Sequence, residues 1–220
     1  MHVHVNAAVS VDGKLSTRRR EQVAISGTAD FARMERIRAE SDAVAVGVGT
    51  VLADDPSLTV DDEARRERRR DAGKPENPAR IVADSRIRTP TDARVLDDRA
   101  TTYLLTSEAA PQDFVSAVTE AGGEVVSAGD QRVDLAAALS QLESRGIDRL
   151  MAEGGGELIF SLFEARLVDE LSVFVGPSVI GGRNAPTLAD GDGFVDEFPD
   201  LSLRDVDGID DGVLVRWTVD

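Results

Sequence analysis

Short, valine-rich apolar segments alternate with segments of helical spacing along most of this chain, and that alternation constrains the fold more than any other feature. Val3 to Val11, Ala43 to Val48, Arg80 to Ala83, Thr102 to Thr106, Glu124 to Ser127, Ile147 to Ala152 and Glu170 to Val175 read as strands. Thr28 to Glu40 reads as a helix capped by Thr28, with Phe31, Met34 and Ile37 near helical spacing. Phe114, Val118 and Ala121 mark a second helix ended by Gly122-Gly123, and Leu135, Leu139 and Leu142 mark a third. A fourth begins near Gly155 and carries Leu158, Ile159, Leu162 and Phe163. Such alternation implies right-handed crossovers and a mostly parallel sheet covered on both faces. Leu201 to Val206 and Gly212 to Val219, joined through Asp207-Gly208-Ile209-Asp210-Asp211, predict an antiparallel C-terminal hairpin. The chain has no internal repeat and no linker between core-forming stretches, so one α/β domain over residues 1–220 is expected. Asp61 to Asn77 is almost wholly charged, contains RRERRR, and reads as a solvated loop or a frayed helix.

Charge narrows the possible partners. Lys and Arg total 25 against 41 Asp and Glu, a net charge of −16, which repels phosphate backbones and argues against nucleic acid. Lys14 and Lys74 are the only lysines. A surface this acidic and lysine-poor suits high salt, where screening cancels much of the self-repulsion. With no cysteine there is no disulfide, thiol nucleophile or cysteine-bound metal, and no metal site is expected. No apolar run approaches the roughly 18 residues of a membrane span, and MHVHVNAAVS lacks a basic stretch before its apolar part. A cytoplasmic protein without a membrane partner is expected.

In open α/β sheets ligands gather at the carboxyl ends of the strands. Three segments there stand out. In MAEGGGELIF a strand delivers Glu153, and Gly154, Gly155 and Gly156 then open a helix. Glycines leave backbone N–H groups uncovered at the positive end of the helix dipole, a site for a phosphate or pyrophosphate. A tight turn without a ligand is the alternative. The segment is neither a G-x-G-x-x-G fingerprint nor a P-loop. In GVGTVLADDPSLTV, Thr50 begins a short helix and Asp54 comes one turn later, so both can face one ligand; a capped turn explains them equally well. In VNAAVSVDGKLS, Ala7 and Ala8 leave room beside a strand, and Lys14 comes after the Asp12-Gly13 turn. A lysine in an arginine-using chain is informative, since a compact ammonium is not equivalent to a guanidinium. A surface lysine without a role is the competing reading.

Taken in order, VNAAVSVDGKLST, IRAESDAVAVGVGTVLADDPSLTV, NPARIVADSRIRTP and LMAEGGGELIFSLFEARLVDELSVFVGPSVIGGRNAPTL resemble the pyrimidine reductases of riboflavin biosynthesis, the archaeal stand-alone type above all. The specificity lies in G-x-x-T-V-L-x-D-D-P-x-L-T-V combined with E-G-G-G and L-V-D-E-L. The resemblance implies a dihydrofolate-reductase-like three-layer α/β fold, with a mostly parallel central sheet and the antiparallel hairpin. It also implies reduction by NADPH of 2,5-diamino-6-(ribosylamino)-4(3H)-pyrimidinone 5′-phosphate to its ribitylamino form, by hydride transfer to ribose C1′ of the ring-opened imine. Bacterial relatives carry a zinc deaminase domain as well; with 220 residues and no cysteine for such a zinc site, no deamination is expected of this chain.

By position, the resemblance places Ala8, Thr50, Asp54, Gly154, Gly155, Gly156 and Glu157 against the cofactor, and Asp84, Ser85 and Arg86 on its adenosine side. Arg86 suits a 2′-phosphate, which favours NADPH over NADH. Lys14 and Glu153 match the pair at the substrate's ribose and are the expected catalytic residues. Arg38 matches a substrate-contacting arginine suited to the 5′-phosphate, with a surface ion pair as its alternative. The chain departs from the family at Glu157, where a small hydroxylic residue is common, at Gln22 in place of a serine, and at Asp61 in place of a basic residue. Relatives are homodimers, and Phe174, Val175 and Ile180 suit either an interface or a core strand. Three other readings share the fold: a reductase of the deaminated pyrimidine, one of dihydrofolate or a pterin, and a non-catalytic nucleotide-binding module.

Overall fold

The computed structural model describes residues 1–220. In chain order its elements are β1 (His2–Ser10), α1 (Thr28–Glu40), β2 (Ala43–Gly47), α2 (Val48–Asp54), α3 (Glu63–Asp71), β3 (Ala79–Ala83), β4 (Thr102–Thr106), α4 (Gln112–Glu120), β5 (Gly123–Ser127), α5 (Leu135–Glu143), β6 (Arg149–Gly154), α6 (Gly156–Glu164), β7 (Glu170–Gly176), β8 (Leu201–Ile209) and β9 (Gly212–Val219). Every strand and helix expected from the alternation is present. The chain forms two compact units, residues 35–151 with Met1, and residues 2–34 with 152–220.

In the first unit β5, β4, β3 and β2 lie side by side and are all parallel. Their apolar residues point to both faces, as the near-continuous apolar runs require of strands covered on two sides. Val44, Val46, Val51, Val82 and Leu104 form the core there, each at most 4% exposed. Arg80 is fully buried in β3. Burying a guanidinium is costly unless its donors are used, and here Nη1 reaches the carbonyls of Val95 (2.8 Å) and Asp97 (3.0 Å) while Nη2 reaches Asp97 Oδ1 (2.6 Å).

The charged stretch is more ordered than its composition suggests. Asp62 caps α3 through the Arg65 N–H, and Arg69 is buried at 4% exposure. Its guanidinium donates to the carbonyls of Ala39 (2.7 Å), Ser41 (2.7 Å) and Pro75 (2.9 Å), so one arginine ties the helix to the carboxyl end of α1. Carbonyls left over at a helix end need donors, and a long cation supplies them.

In the second unit β1 and β7 are parallel, and β9 is antiparallel to both β7 and β8. The hairpin turn is shorter than expected: β8 runs on to Ile209, which pairs with Gly212, and only Asp210 and Asp211 turn the chain. Asp210 takes the left-handed φ of 48° that aspartate tolerates. Its carboxylate accepts the N–H groups of Ala29 (3.1 Å) and Asp30 (2.9 Å), so the first turn of α1 is capped from the hairpin as well as begun at Thr28. Ile25, Phe174 and Leu214 form a core cluster joined by Ala8, Ile180 and Ile209. Phe174 is fully buried in that cluster, so of the two readings it is core and not interface.

Candidate active site

In the first unit, β2 and β3 end in register, Gly47 opposite Ala83. The segments that leave the two strands therefore emerge at the same edge. After β2 comes α2, with Thr50 and Asp54 one helical turn apart, both half-buried. The Thr50 hydroxyl makes no hydrogen bond within the protein. Asp55 ends the helix at a left-handed φ of 41°.

After β3 comes the turn of Asp84, Ser85 and Arg86. Asp84 is buried, and its Oδ2 accepts the N–H groups of Arg88 (2.6 Å) and Thr89 (2.8 Å) and the Thr89 hydroxyl (2.8 Å). Its other oxygen is buried without a hydrogen bond. The Ser85 hydroxyl accepts the Val133 N–H at 3.1 Å, and its carbonyl accepts the Ser107 hydroxyl at 2.8 Å. Two side chains thus hold the turn, while Arg86 at its tip is exposed and pairs with no carboxylate. Arg38, half-buried near the end of α1, donates to the Thr59 carbonyl at 2.7 Å.

In the second unit, Ala8 is half-buried on β1 beside Phe174. The turn after β1 is organised by the fully buried Ser10. Its hydroxyl accepts the Lys14 N–H (3.0 Å) and donates to Asp12 Oδ1 (2.6 Å), while Gly13 supplies a φ of 77°. Asp12 also accepts the N–H groups of Ile180 (3.0 Å) and Gly181 (2.7 Å). The Ser10 hydroxyl and these two N–H donors hold its carboxyl down at about 2.

Lys14 itself is half-buried. Its Nζ lies 3.5 Å from the Ala185 carbonyl and has no carboxylate partner. Lys74, the other lysine, is paired with Asp42 at 2.7 Å. Of the two lysines in this chain of net charge −16, Lys14 alone is half-buried without a carboxylate partner.

Glu153 is half-buried near the end of β6. Gly155 comes next but one, with φ 87° and ψ 102°, a conformation closed to other residues, and α6 starts at Gly156. A side chain at Gly156 would come within 2.5 Å of the Thr187 carbonyl and 2.7 Å of Asp190 Oδ2. That glycine is therefore required by the protein's own 187–190 segment. Glu157 is exposed on the first turn of α6. The importance of residues 185–190 is not visible in the sequence; the nearest signal is the hydroxyl and carboxylate of Thr187 and Asp190 at a spacing of three. No helix is long and apolar enough to cross a membrane.

Residues 1–215 match the family model described as the RibD C-terminal domain. The chain is 49% identical over 194 residues to a 2,5-diamino-6-ribosylamino-4(3H)-pyrimidinone 5′-phosphate reductase of Archaeoglobus fulgidus, covering 88% of each protein. It is 43% identical over 221 residues to the reductase of the same name from Methanothermobacter thermautotrophicus, covering 99% of this chain and 98% of that one. Among solved structures, a pyrimidine reductase-like protein of Corynebacterium diphtheriae superposes with a TM-score of 0.86 at 17% identity, over 99% of this chain and 91% of the other. The Thermotoga maritima diaminohydroxyphosphoribosylaminopyrimidine deaminase/5-amino-6-(5-phosphoribosylamino)uracil reductase superposes with a TM-score of 0.78 at 23% identity, over 99% of this chain and 56% of that one. These likenesses bear out the expected mixed α/β, dihydrofolate-reductase-like fold.

Proposed function

The chain belongs to the family of RibD C-terminal domains, and on that premise we propose that it is an NADPH-dependent oxidoreductase of riboflavin biosynthesis. Its substrate is 2,5-diamino-6-(ribosylamino)-4(3H)-pyrimidinone 5′-phosphate, reduced to the ribitylamino compound. The match along nearly the whole length of two stand-alone relatives named for that substrate carries the reading. The match of the family model to residues 1–215 supports treating both compact units as one reductase domain.

The residues fit a nicotinamide dinucleotide in type. Thr50 offers an unused hydroxyl, Arg86 an unpaired guanidinium at the tip of a braced turn, and Gly155 a left-handed backbone with no side chain over its N–H. NADPH, when bound, supplies the hydride. The protein's task is to hold donor and acceptor face to face and to manage one proton. Ala8 leaves room beside β1, Thr50 and Asp54 line the cofactor, and Gly154, Gly155, Gly156 and Glu157 shape the turn at its pyrophosphate. Asp84 and Ser85 brace Arg86, which takes the 2′-phosphate and selects NADPH over NADH.

The ribosylamine ring opens to an imine, hydride adds at ribose C1′, and the imine nitrogen gains a proton. Lys14 and Glu153 orient the ribose hydroxyls and supply that proton. Arg38 contributes to holding the 5′-phosphate. The working protein is a cytoplasmic homodimer with a surface adapted to salt. The apolar, exposed Leu201, Leu203 and Val206 on the terminal hairpin support the dimer. Incubation with the ribosylamino phosphate, its deaminated counterpart, and each nicotinamide in turn tests the assignment: turnover of the first with NADPH is expected.

A further inference from the structure

Segment 185–190 connects two of the motifs in the second unit. At one end Lys14 forms an antiparallel bridge with Thr187, Leu15 N–H donates to the Pro186 carbonyl at 2.9 Å, and Lys14 Nζ reaches the Ala185 carbonyl at 3.5 Å. At the other end the Asp190 N–H donates to the Gly156 carbonyl at 3.0 Å. Between the ends, the Asp190 carboxylate accepts both the N–H (3.1 Å) and the hydroxyl of Thr187. Ala185 is 4% exposed, and the Thr187 carbonyl occupies the space a side chain would need at Gly156. The strap is therefore seated at both ends, and one carboxylate fixes its bend.

We infer that Asp190 is a positioning residue: by clamping Thr187 it holds the Lys14 ammonium at a set place relative to the glycine turn that opens α6. The inference rests on the proposed reductase reading for its effect on turnover, but its structural content does not. A displacement of about 1 Å in a reacting group can cost on the order of 100-fold in rate, so loss of the clamp should lower kcat while leaving KM for NADPH nearly unchanged. An effect exerted through Lys14 should also be absent where Lys14 is already gone.

Two measurements test it. Reductive methylation with ¹³C-formaldehyde labels Lys14, Lys74 and the amino terminus, with the Lys14 signal assigned through Lys14→Arg. Asp190→Ala is expected to move the Lys14 resonance and to leave that of the Asp42-paired Lys74 in place, while Asp190→Asn, which keeps an acceptor oxygen, restores much of the Lys14 position. An unmoved Lys14 resonance in folded Asp190→Ala overturns the inference, as does a resonance displaced equally by the Asn variant. Should Asp190→Ala not fold, Thr187→Val removes the hydroxyl clamp and is read the same way. In kinetics, Asp190→Ala is expected to lower kcat about 10- to 100-fold in the parent protein and not at all in Lys14→Ala; an equal loss in both backgrounds overturns it. A parent protein inactive on the pyrimidine contradicts the function proposed above, and the resonance measurement then decides the inference alone.

Discussion

Lys14 reaches the carbonyl oxygen of Ala185 at 3.5 Å and has no carboxylate partner. The turn that presents it is built by Ser10, whose buried hydroxyl accepts the Lys14 N–H. Lys14→Ala leaves that turn intact, because it removes the ammonium and its contact with the Ala185 carbonyl but keeps the Lys14 N–H bond to Ser10. Turnover of the ribosylamino substrate is expected to fall by about 100-fold or more, the scale of a lost proton donor or orienting group. NADPH binding, followed by fluorescence, should be largely retained; unchanged kcat would remove Lys14 from the chemistry.

Arg69→Ala tests the order of the charged segment. The substitution deletes three hydrogen bonds to carbonyls at the end of α1 and beyond α3. A loss of about 3 kcal/mol is expected in denaturant unfolding, because buried acceptors are left without donors. Protease cleavage between residues 61 and 77 should accelerate at the same time. A variant as stable and as resistant as the parent would show α3 to be held by other contacts.

Asp210→Ala removes the carboxylate that accepts two N–H groups in the first turn of α1. A loss of about 1 kcal/mol is expected, as for other helix caps. Asp210→Asn, which retains an acceptor and tolerates the same backbone, should recover part of it.

Asp12 links pH to the 178–181 segment. Its carboxyl is lowered from 3.8 to about 2 in the folded protein, first by the Ser10 hydroxyl and then by the Ile180 N–H, with the Gly181 N–H adding to the effect. A lowered folded value means that its contribution to stability is complete above pH 4 or so and is lost as pH falls from there toward 2. Acid unfolding of Asp12→Asn should accordingly lack that part of the pH dependence between about 4 and 2, with little difference in its slope at neutral pH. Parent and variant curves running parallel through that window would contradict the assignment.

Elements whose apolar residues repeat locally are legible in the sequence. β1 to β7 and the longer helices among them are all expected, because a valine run or an i, i+4 pattern reports burial from within one segment. Interactions between distant residues are not legible. Arg69 lies in a run of arginines, and nothing local distinguishes it from its exposed neighbours; only the carbonyls of Ala39 and Ser41, some 30 residues earlier, select it. Asp210 reads as a loop residue for the same reason, its partners being the N–H groups of Ala29 and Asp30. Among the candidate site residues, Thr50 and Asp54 fall on one helix as their spacing requires. Asp84, by contrast, has one carboxylate oxygen taken up by three donors of its own turn, a use that a motif match does not reveal. The glycine run reads as open to a ligand, yet the room at Gly156 is taken by Thr187 and Asp190.

Arg86 is exposed at the tip of the turn after β3 and pairs with no carboxylate, and the proposed function gives it the 2′-phosphate. Arg86→Ala should weaken NADPH binding by about 10-fold or more, the worth of a charge-assisted pair, and leave NADH binding unaltered. Equal weakening of both cofactors would place Arg86 elsewhere in cofactor binding.

The decisive measurement is reduction of 2,5-diamino-6-(ribosylamino)-4(3H)-pyrimidinone 5′-phosphate at high salt, followed in the same samples as NADPH absorbance lost and ribitylamino product formed. One equivalent of product per NADPH oxidised is the predicted result. Absence of product with the intact, folded protein, under conditions in which NADPH is bound, would contradict it.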